Sequence, residues 1–361
     1  MTESQFPCKS CGAKLEFKPG TRSLACPYCG HENPIDDGDR TIEEQDFHEQ
    51  LAALEAREGA VEALTVRCES CAAETTLAAA VTASTCPFCG AGIVATAKSQ
   101  AVIKPRSLLP FHIARQQAFQ SYRGWLSGLW FAPGELNRHA LADERFGGVY
   151  IPYWTFDSDT TSSYRGERGD DYWDTQHYTT TANGKTVHRT RQVRRTRWRP
   201  ASGTVQNRFD DVLVLASRSL PGPLVEKLEP WDLKSLVPYS DGYLSGFRAE
   251  RYQVGLEDGF KIARGIMDER IRASIRKDIG GDHQRIHSVE THHDAVTFKH
   301  LLLPVWLSAY RYRNRVYRFL VNARTGEVQG ERPWSAWKIA LAVLGALAAI
   351  GAIAAIVASL N

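Results

Sequence analysis

The chain has 361 residues, 43% of them hydrophobic, with 44 Lys and Arg against 41 Asp and Glu and a formal charge of +3. That length exceeds the ~100 to 200 residues usual for one domain, so several modules are expected. The apolar fraction is ordinary for a protein that buries a core, and the net charge is too small for a general nucleic-acid binder.

The opening segment MTESQFPCKSCG has no basic stretch followed by an apolar one, so no secretory signal is expected and this end is expected in the cytosol. All eight cysteines fall in C-x2-C pairs, at Cys8, Cys11, Cys26, Cys29, Cys68, Cys71, Cys86 and Cys89. In a reducing compartment that arrangement favours metal over disulfides. An offset of sixty residues superimposes the first four cysteines on the last four, with fourteen residues between the pairs in each set, which marks a tandem duplication. Two zinc ribbons are expected, at residues 1–36 and 66–98, each holding one structural Zn2+ through four thiolates at ~2.3 Å, two ions per chain. Modules of this size bury too little to fold without metal. Four cysteine ligands leave no open position for catalysis, and rubredoxin-like iron is the competing metal. Gly12, Gly30 and Gly90 follow their cysteines where a turn needs positive φ, while Ala72 departs from that pattern. Between the ribbons, at residues 37–65, Thr41 to Leu64 is rich in helix formers. Phe47, Leu51, Leu54 and Val61 recur there at helical spacing, so a helical spacer is predicted.

Residues 105–333 are predicted to form an α+β module. Helices are expected over His112 to Leu126, Pro221 to Leu228 and Leu256 to Ile279, the last marked by Ile262, Ile266, Ile271 and Ile275. Strands are expected over Gly148 to Asp159, Asp171 to Thr181, Thr186 to Trp198, Val212 to Ala216, Arg285 to His292, Leu301 to Arg313 and Arg315 to Asn322. Asn183-Gly184 signals a type I′ hairpin, and setting Ala182 opposite Lys185 places Asp170 opposite Arg197. Val149–Trp154 and Leu301–Trp306 look alike, each with Pro two residues before Trp, and are expected as equivalent edge strands of two lobes. Arg189, Arg191, Arg195, Arg197 and Arg199 fall on one face of a strand; they either grip phosphates of nucleic acid or anionic lipid, or pair with the acidic Gly169–Asp174 strand. Asn183-Gly184-Lys185-Thr186 is not a phosphate loop, because Thr179 stands where its first glycine belongs. His283, His287, His292 and His293 with Glu290 and Asp294 read as polar surface, a catalytic metal group being the alternative.

Ile339 to Leu360 carries no charge and spans ~33 Å as a helix. Trp334, Trp337, Lys338 and Arg332 before it suit a membrane interface. A single transmembrane helix is predicted at 337–360, with the N-terminal part in the cytoplasm. Small residues at Gly345 and Ala349, and at Gly351 and Ala355, suit packing of anchors into a homo-oligomer.

The paired ribbons, with C-P-[YF]-C-G, resemble the TFIIB-type zinc ribbon. With Leu228–Leu233 (LEPWDL), Val237–Tyr239 (VPY), Tyr243–Tyr252 (YLSGFRAERY) and Val321–Val328 (VNARTGEV), the chain resembles a bacterial family of zinc-ribbon membrane proteins often labelled primosomal or helicase-like. The resemblance implies no helicase core. It implies location in the inner membrane and partners among PspA-type phage-shock proteins or SPFH and virion-core-type proteins of envelope stress. The expectation is therefore a multidomain chain with two tandem four-cysteine zinc ribbons, an α+β module and one C-terminal transmembrane helix. Its expected role is that of a non-enzymatic adaptor recruiting a cytosolic protein to membrane lipid. The rivals are a membrane-tethered nucleic-acid binder and a metal-dependent hydrolase.

Overall fold

The computed structural model describes residues 6–35, 41–55, 65–67, 74–76, 83–85, 92–94, 103–133, 146–182, 185–312 and 315–360. Strands β1 (Glu16–Phe17), β2 (Ser23–Ala25) and β3 (Glu32–Pro34) form a small sheet, and β4 (Gln45–Asp46) leads into α1 (Phe47–Glu55). β5 (Thr65–Arg67) pairs with β6 (Glu74–Thr76), and β7 (Ala83–Thr85) with β8 (Gly92–Val94). β9 (Ser107–Leu108), α2 (Arg115–Ser127), β10 (Gly147–Ala182), β11 (Lys185–Leu215), α3 (Gly222–Glu226) and β12 (Val237–Pro238) open the large module. It continues through α4 (Asp241–Leu244), β13 (Arg248–Ala249), α5 (Leu256–Ile279), β14 (His283–Tyr312), β15 (Arg315–Asn322) and β16 (Val328–Gly330), and α6 (Ala336–Leu360) follows. The architecture is multidomain and mostly sheet.

The main sheet runs β11-β10-β14-β15-β16, with β13 beside β10, and β4 and β9 beside β14. Three of these strands are far longer than expected, because each joins two segments predicted to be separate. Thr160 to Asp170, left between two expected strands, is strand as well. Ser158, Thr160 and Ser162 are buried, and their hydroxyls are satisfied by the Asp294 carbonyl at 3.3 Å, the Asn207 carbonyl at 3.1 Å and the Thr291 hydroxyl at 2.9 Å. Small polar residues let α5 lie close over this stretch.

Along β10 the cover changes in three steps. From Val149 to Phe156 every residue is buried, so both faces are covered, as a near-continuous apolar run demands. Tyr150 belongs to a cluster with Phe111, Tyr122, Trp306 and Phe319, while Val149, Ile151 and Tyr153 belong to one with Val225, Leu228 and Leu303. From Ser158 to Gly166 only the face under α5 is buried. Beyond Gly169, the last residue paired with β14, only the β10–β11 hairpin remains among the described residues.

Val149–Trp154 and Leu301–Trp306 are not edge strands. They are central and pair with each other, Tyr150 opposite Pro304 and Pro152 opposite Leu302. The prolines are tolerated for a local reason: the ladder with β11 begins at Tyr153 and that with β15 at Val305, so each proline stands one residue outside its strand's outer ladder. Their carbonyls still accept, from Ala216 and Ala323.

α5 matches its expected bounds, but the buried stripe is Leu256, Ala263, Met267, Ile271, Ile275 and Ile279; Ile262 and Ile266 are exposed. α1 is no free spacer within the described residues. Phe47 is buried against Phe260 and Phe156, at 4.6 and 6.2 Å between ring centres, and Asp46 pairs with Thr297. α6 is 25 residues long, about 38 Å. Its Ala336–Ile353 stretch is apolar enough to cross a membrane and is not buried against the rest of the chain.

Candidate metal centre and basic arm

Two turns build the first cysteine cluster, and they are the same turn. Cys8 N–H donates to Ala13 and Gly12 N–H to Cys8; Cys26 N–H donates to His31 and Gly30 N–H to Cys26. Gly12 and Gly30 have φ of 74° and 72°, the left-handed conformation that sequence reasoning assigned to them. The four sulfurs lie within 4.8 Å of one another, with Cys8 Sγ 3.6 Å from Cys29 Sγ and Cys11 Sγ 3.5 Å from Cys26 Sγ. Those separations exceed a disulfide and match the ~3.8 Å edge of a tetrahedron with ~2.3 Å metal–sulfur bonds. Backbone N–H groups of Ser10 and Cys29 point at the sulfurs of Cys8 and Cys26, at 3.4 and 3.5 Å.

The thiols divide. The Cys29 N–H, with other backbone donors, pulls Cys26 down to about 6, whereas Cys11, against the pull of the Ala13 backbone, is pushed up to about 12 by Cys26 and Cys29. Four sulfurs this close cannot all ionise without a cation among them, so the donor set fits one thiophilic metal ion.

This ribbon is built into the large module. Leu15, Phe17, Leu24, Cys8 and Cys26 are buried in the same cluster as Tyr150 and Trp306. Phe17 packs on Tyr243 at 5.3 Å, its N–H donates to the Ser245 carbonyl at 3.0 Å, and Ser245 Oγ donates to the Leu15 carbonyl at 2.6 Å. The segments that carry the family resemblance serve the same end: Tyr243 receives the ribbon, Trp231 packs on Tyr153, and Leu228 accepts from Asn322 at 2.8 Å.

Cys68, Cys71, Cys86 and Cys89 lie outside the described residues, but the strands flanking them do not. Pro7 bridges Lys14 around the first pair of ribbon one, and Arg67 pairs with Glu74 in the second copy. Ser23–Ala25 pairs with Glu32–Pro34, and Ala83–Thr85 with Gly92–Val94, residue for residue at the sixty-residue offset.

The β10–β11 hairpin beyond Gly169 is a two-stranded arm. Its register runs from Asp170 opposite Arg197 to Ala182 opposite Lys185, as the turn chemistry predicts, and is about 40 Å long. Alternation gives its faces different charge. Arg168, Arg189, Arg191, Arg195, Arg197 and Arg199 share one face with only Asp170 and Asp174, whereas the other holds Arg194 against Asp171. Pairing on the basic face is partial: Arg195 meets Asp174 at 2.9 Å and Arg199 meets Asp170 at 3.7 Å, while Arg197 lies over the Tyr172 ring at 4.9 Å.

The histidines are not brought together. His283 contacts Asp171 at 3.1 Å, His287 approaches Glu167 at 3.6 Å, and His293 packs on Phe260. Among the described residues, the second metal-competent group is Glu44, Asp157 and Asp210. The Lys299 ammonium lies 3.1 Å from Glu44 and 3.9 Å from Asp157 of this group, and 2.7 Å from the neighbouring Asp211. Sequence reasoning missed this nest, although Asp157 and Lys299 interrupt apolar strand runs.

No family model and no solved structure matches the chain. The uncharacterized protein YdjG of Bacillus subtilis (strain 168) is 27% identical over 341 residues, 93% of this chain and 92% of the relative. Similarity over that span is not confined to the cysteine motifs.

Proposed function

We propose that this protein is a non-enzymatic membrane adaptor, anchored by α6 in the inner membrane with the rest in the cytoplasm, which recruits a cytosolic protein through its basic arm. The observation that carries this reading is the inequality of the arm's two faces. Arginines that only guarded an exposed sheet edge against aggregation would serve from either face. Segregated with Tyr172 and Tyr178, they make the surface composition that binding sites favour, one that draws an acidic partner. SPFH, virion-core-type and PspA-type proteins are the partners to test first.

In this reading both ribbons hold zinc. The repeated register around Cys68, Cys71, Cys86 and Cys89 supports a second site, and elemental analysis reading one ion per chain, or iron, would refute the assignment. The first ribbon, packed into the module, is scaffold and not recruiter. Recruitment is tested by imaging a tagged partner in cells: Arg189→Glu with Arg191→Glu is expected to release it from the membrane. Release by Cys68→Ser alone, with the arm variant silent, would move the recruiting surface to the second ribbon. Nucleic acid is a second reading of the same basic face, and duplex binding that weakens steeply with salt would favour it.

A further inference from the structure

Beside the first turn of α6 lies a cleft of about 550 Å³, lined by Arg315, Val316 and Tyr317 at the start of β15 and by Glu331, Arg332 and Trp334. That volume suits a small ligand. Among the described residues neither Arg315 nor Arg332 has a carboxylate within ion-pair distance. The Glu331 carboxylate accepts the Arg318 backbone N–H at 3.0 Å. Arg332 lies 4.2 Å over the Trp334 ring and so occupies one of the two aromatic faces open to a quaternary ammonium.

The cleft's level is set by its neighbours. Arg332 precedes α6 by four residues, and the helix start is held by Ser335 N–H donating to Phe131 and Lys338 Nζ donating to Ala132, both at 2.8 Å. Trp334 and Trp337 are 57% and 73% exposed there, as at a bilayer interface. Two guanidinium forks lining one cleft beside a helix apolar enough to span a membrane have the chemistry to receive phosphate oxygens.

We propose that this cleft binds the headgroup of an anionic phospholipid and prefers it to a choline lipid. The proposal rests on the reading of α6 as a membrane span. Full-length protein in nanodiscs of equimolar phosphatidylcholine and phosphatidylglycerol, examined by native mass spectrometry, reports which lipid stays bound. Wild type is expected to retain phosphatidylglycerol, and Arg315→Gln and Arg332→Gln each to lower that preference about fivefold. Arg332→Lys, which keeps the charge and loses the fork, is expected to fall between. The pair Arg208→Gln on β11 and Lys277→Gln on α5 removes the same charge outside the cleft and is expected to change nothing. An unchanged preference in the double variant Arg315→Gln/Arg332→Gln would overturn the cleft, as would an equal loss in the remote control, since diffuse charge would then suffice. Failure of wild type to enter discs of phosphatidylcholine alone would overturn the membrane reading, and the cleft with it.

Discussion

Strand β10 contains two tryptophans nineteen residues apart in opposite circumstances. Trp154 is fully buried, its indole N–H donating to the Val254 carbonyl at 2.9 Å, whereas Trp173 is 68% exposed on the arm. Both pair antiparallel with β11, across a bulge at Phe156–Ser158, but only Trp154 is also flanked by β14, opposite His300. The cover differs too: among the described residues, two faces at the base, one under α5, none on the arm. Pairing with β11 alone therefore says little here about where stability resides; the second neighbouring strand and the layers laid over the sheet decide it.

The sharpest test of that contrast compares the two tryptophans directly. In urea denaturation of the chain cut before Trp334, Trp154→Ala is expected to cost about 3 to 5 kcal/mol and Trp173→Ala less than about 0.5 kcal/mol. Equal losses would mean that the arm is a folded part of the core. Next in size is the four-cysteine cluster, which belongs with the base because Phe17 and Cys26 share its cluster of buried residues. Cys26→Ser is expected to free Phe17 from Tyr243 at a cost of about 2 to 3 kcal/mol, and hydrogen exchange should quicken across Tyr239–Phe247. Unchanged exchange there would show that the ribbon folds on its own.

A smaller effect is expected in the nest around Lys299. Burial pushes Asp157 up to about 6 from an ordinary value of 3.8. The folded protein thus holds a proton that the unfolded chain has released, and Asp157 makes stability fall as pH rises from about 4 to about 6. Glu44 works the other way, being held low, against its own burial, by hydrogen bonds from Thr297 and Lys299. Asp157→Asn is expected to remove roughly 1 kcal/mol of that fall, half-burial and screening keeping it small; a pH profile with the same slope would exclude Asp157. The least effect belongs to the arm: Arg189→Gln with Arg191→Gln is expected to change stability by under about 0.5 kcal/mol. A larger change would mean that the arginines hold the hairpin together.

Local chemistry was legible in the sequence wherever short-range geometry decides. The C-x2-C turns, the positive φ of Gly12 and Gly30, and the Asn183-Gly184 register that sets Asp170 opposite Arg197 are all of this kind. What could not be read was lateral. Thr160 and Ser162 look like loop because nothing nearby in sequence announces α5 above them. The prolines suggested sheet edges, and only the stagger of the outer ladders explains how two central strands carry them. The integration of the first ribbon was likewise hidden, since Phe17 and Tyr243 are far apart in the chain.

Among the described residues the arm has no layer above or below it, so its length is open to evolutionary change in a quantised way. Removing two residues from each strand shortens the reach by about 7 Å and leaves the arginines facing as before. Removing one from each turns everything beyond the cut over, carrying the distal arginines to the side now held by Arg194 and Trp173. Homologous arms that keep the same polarity should therefore differ in length by even numbers of residue pairs.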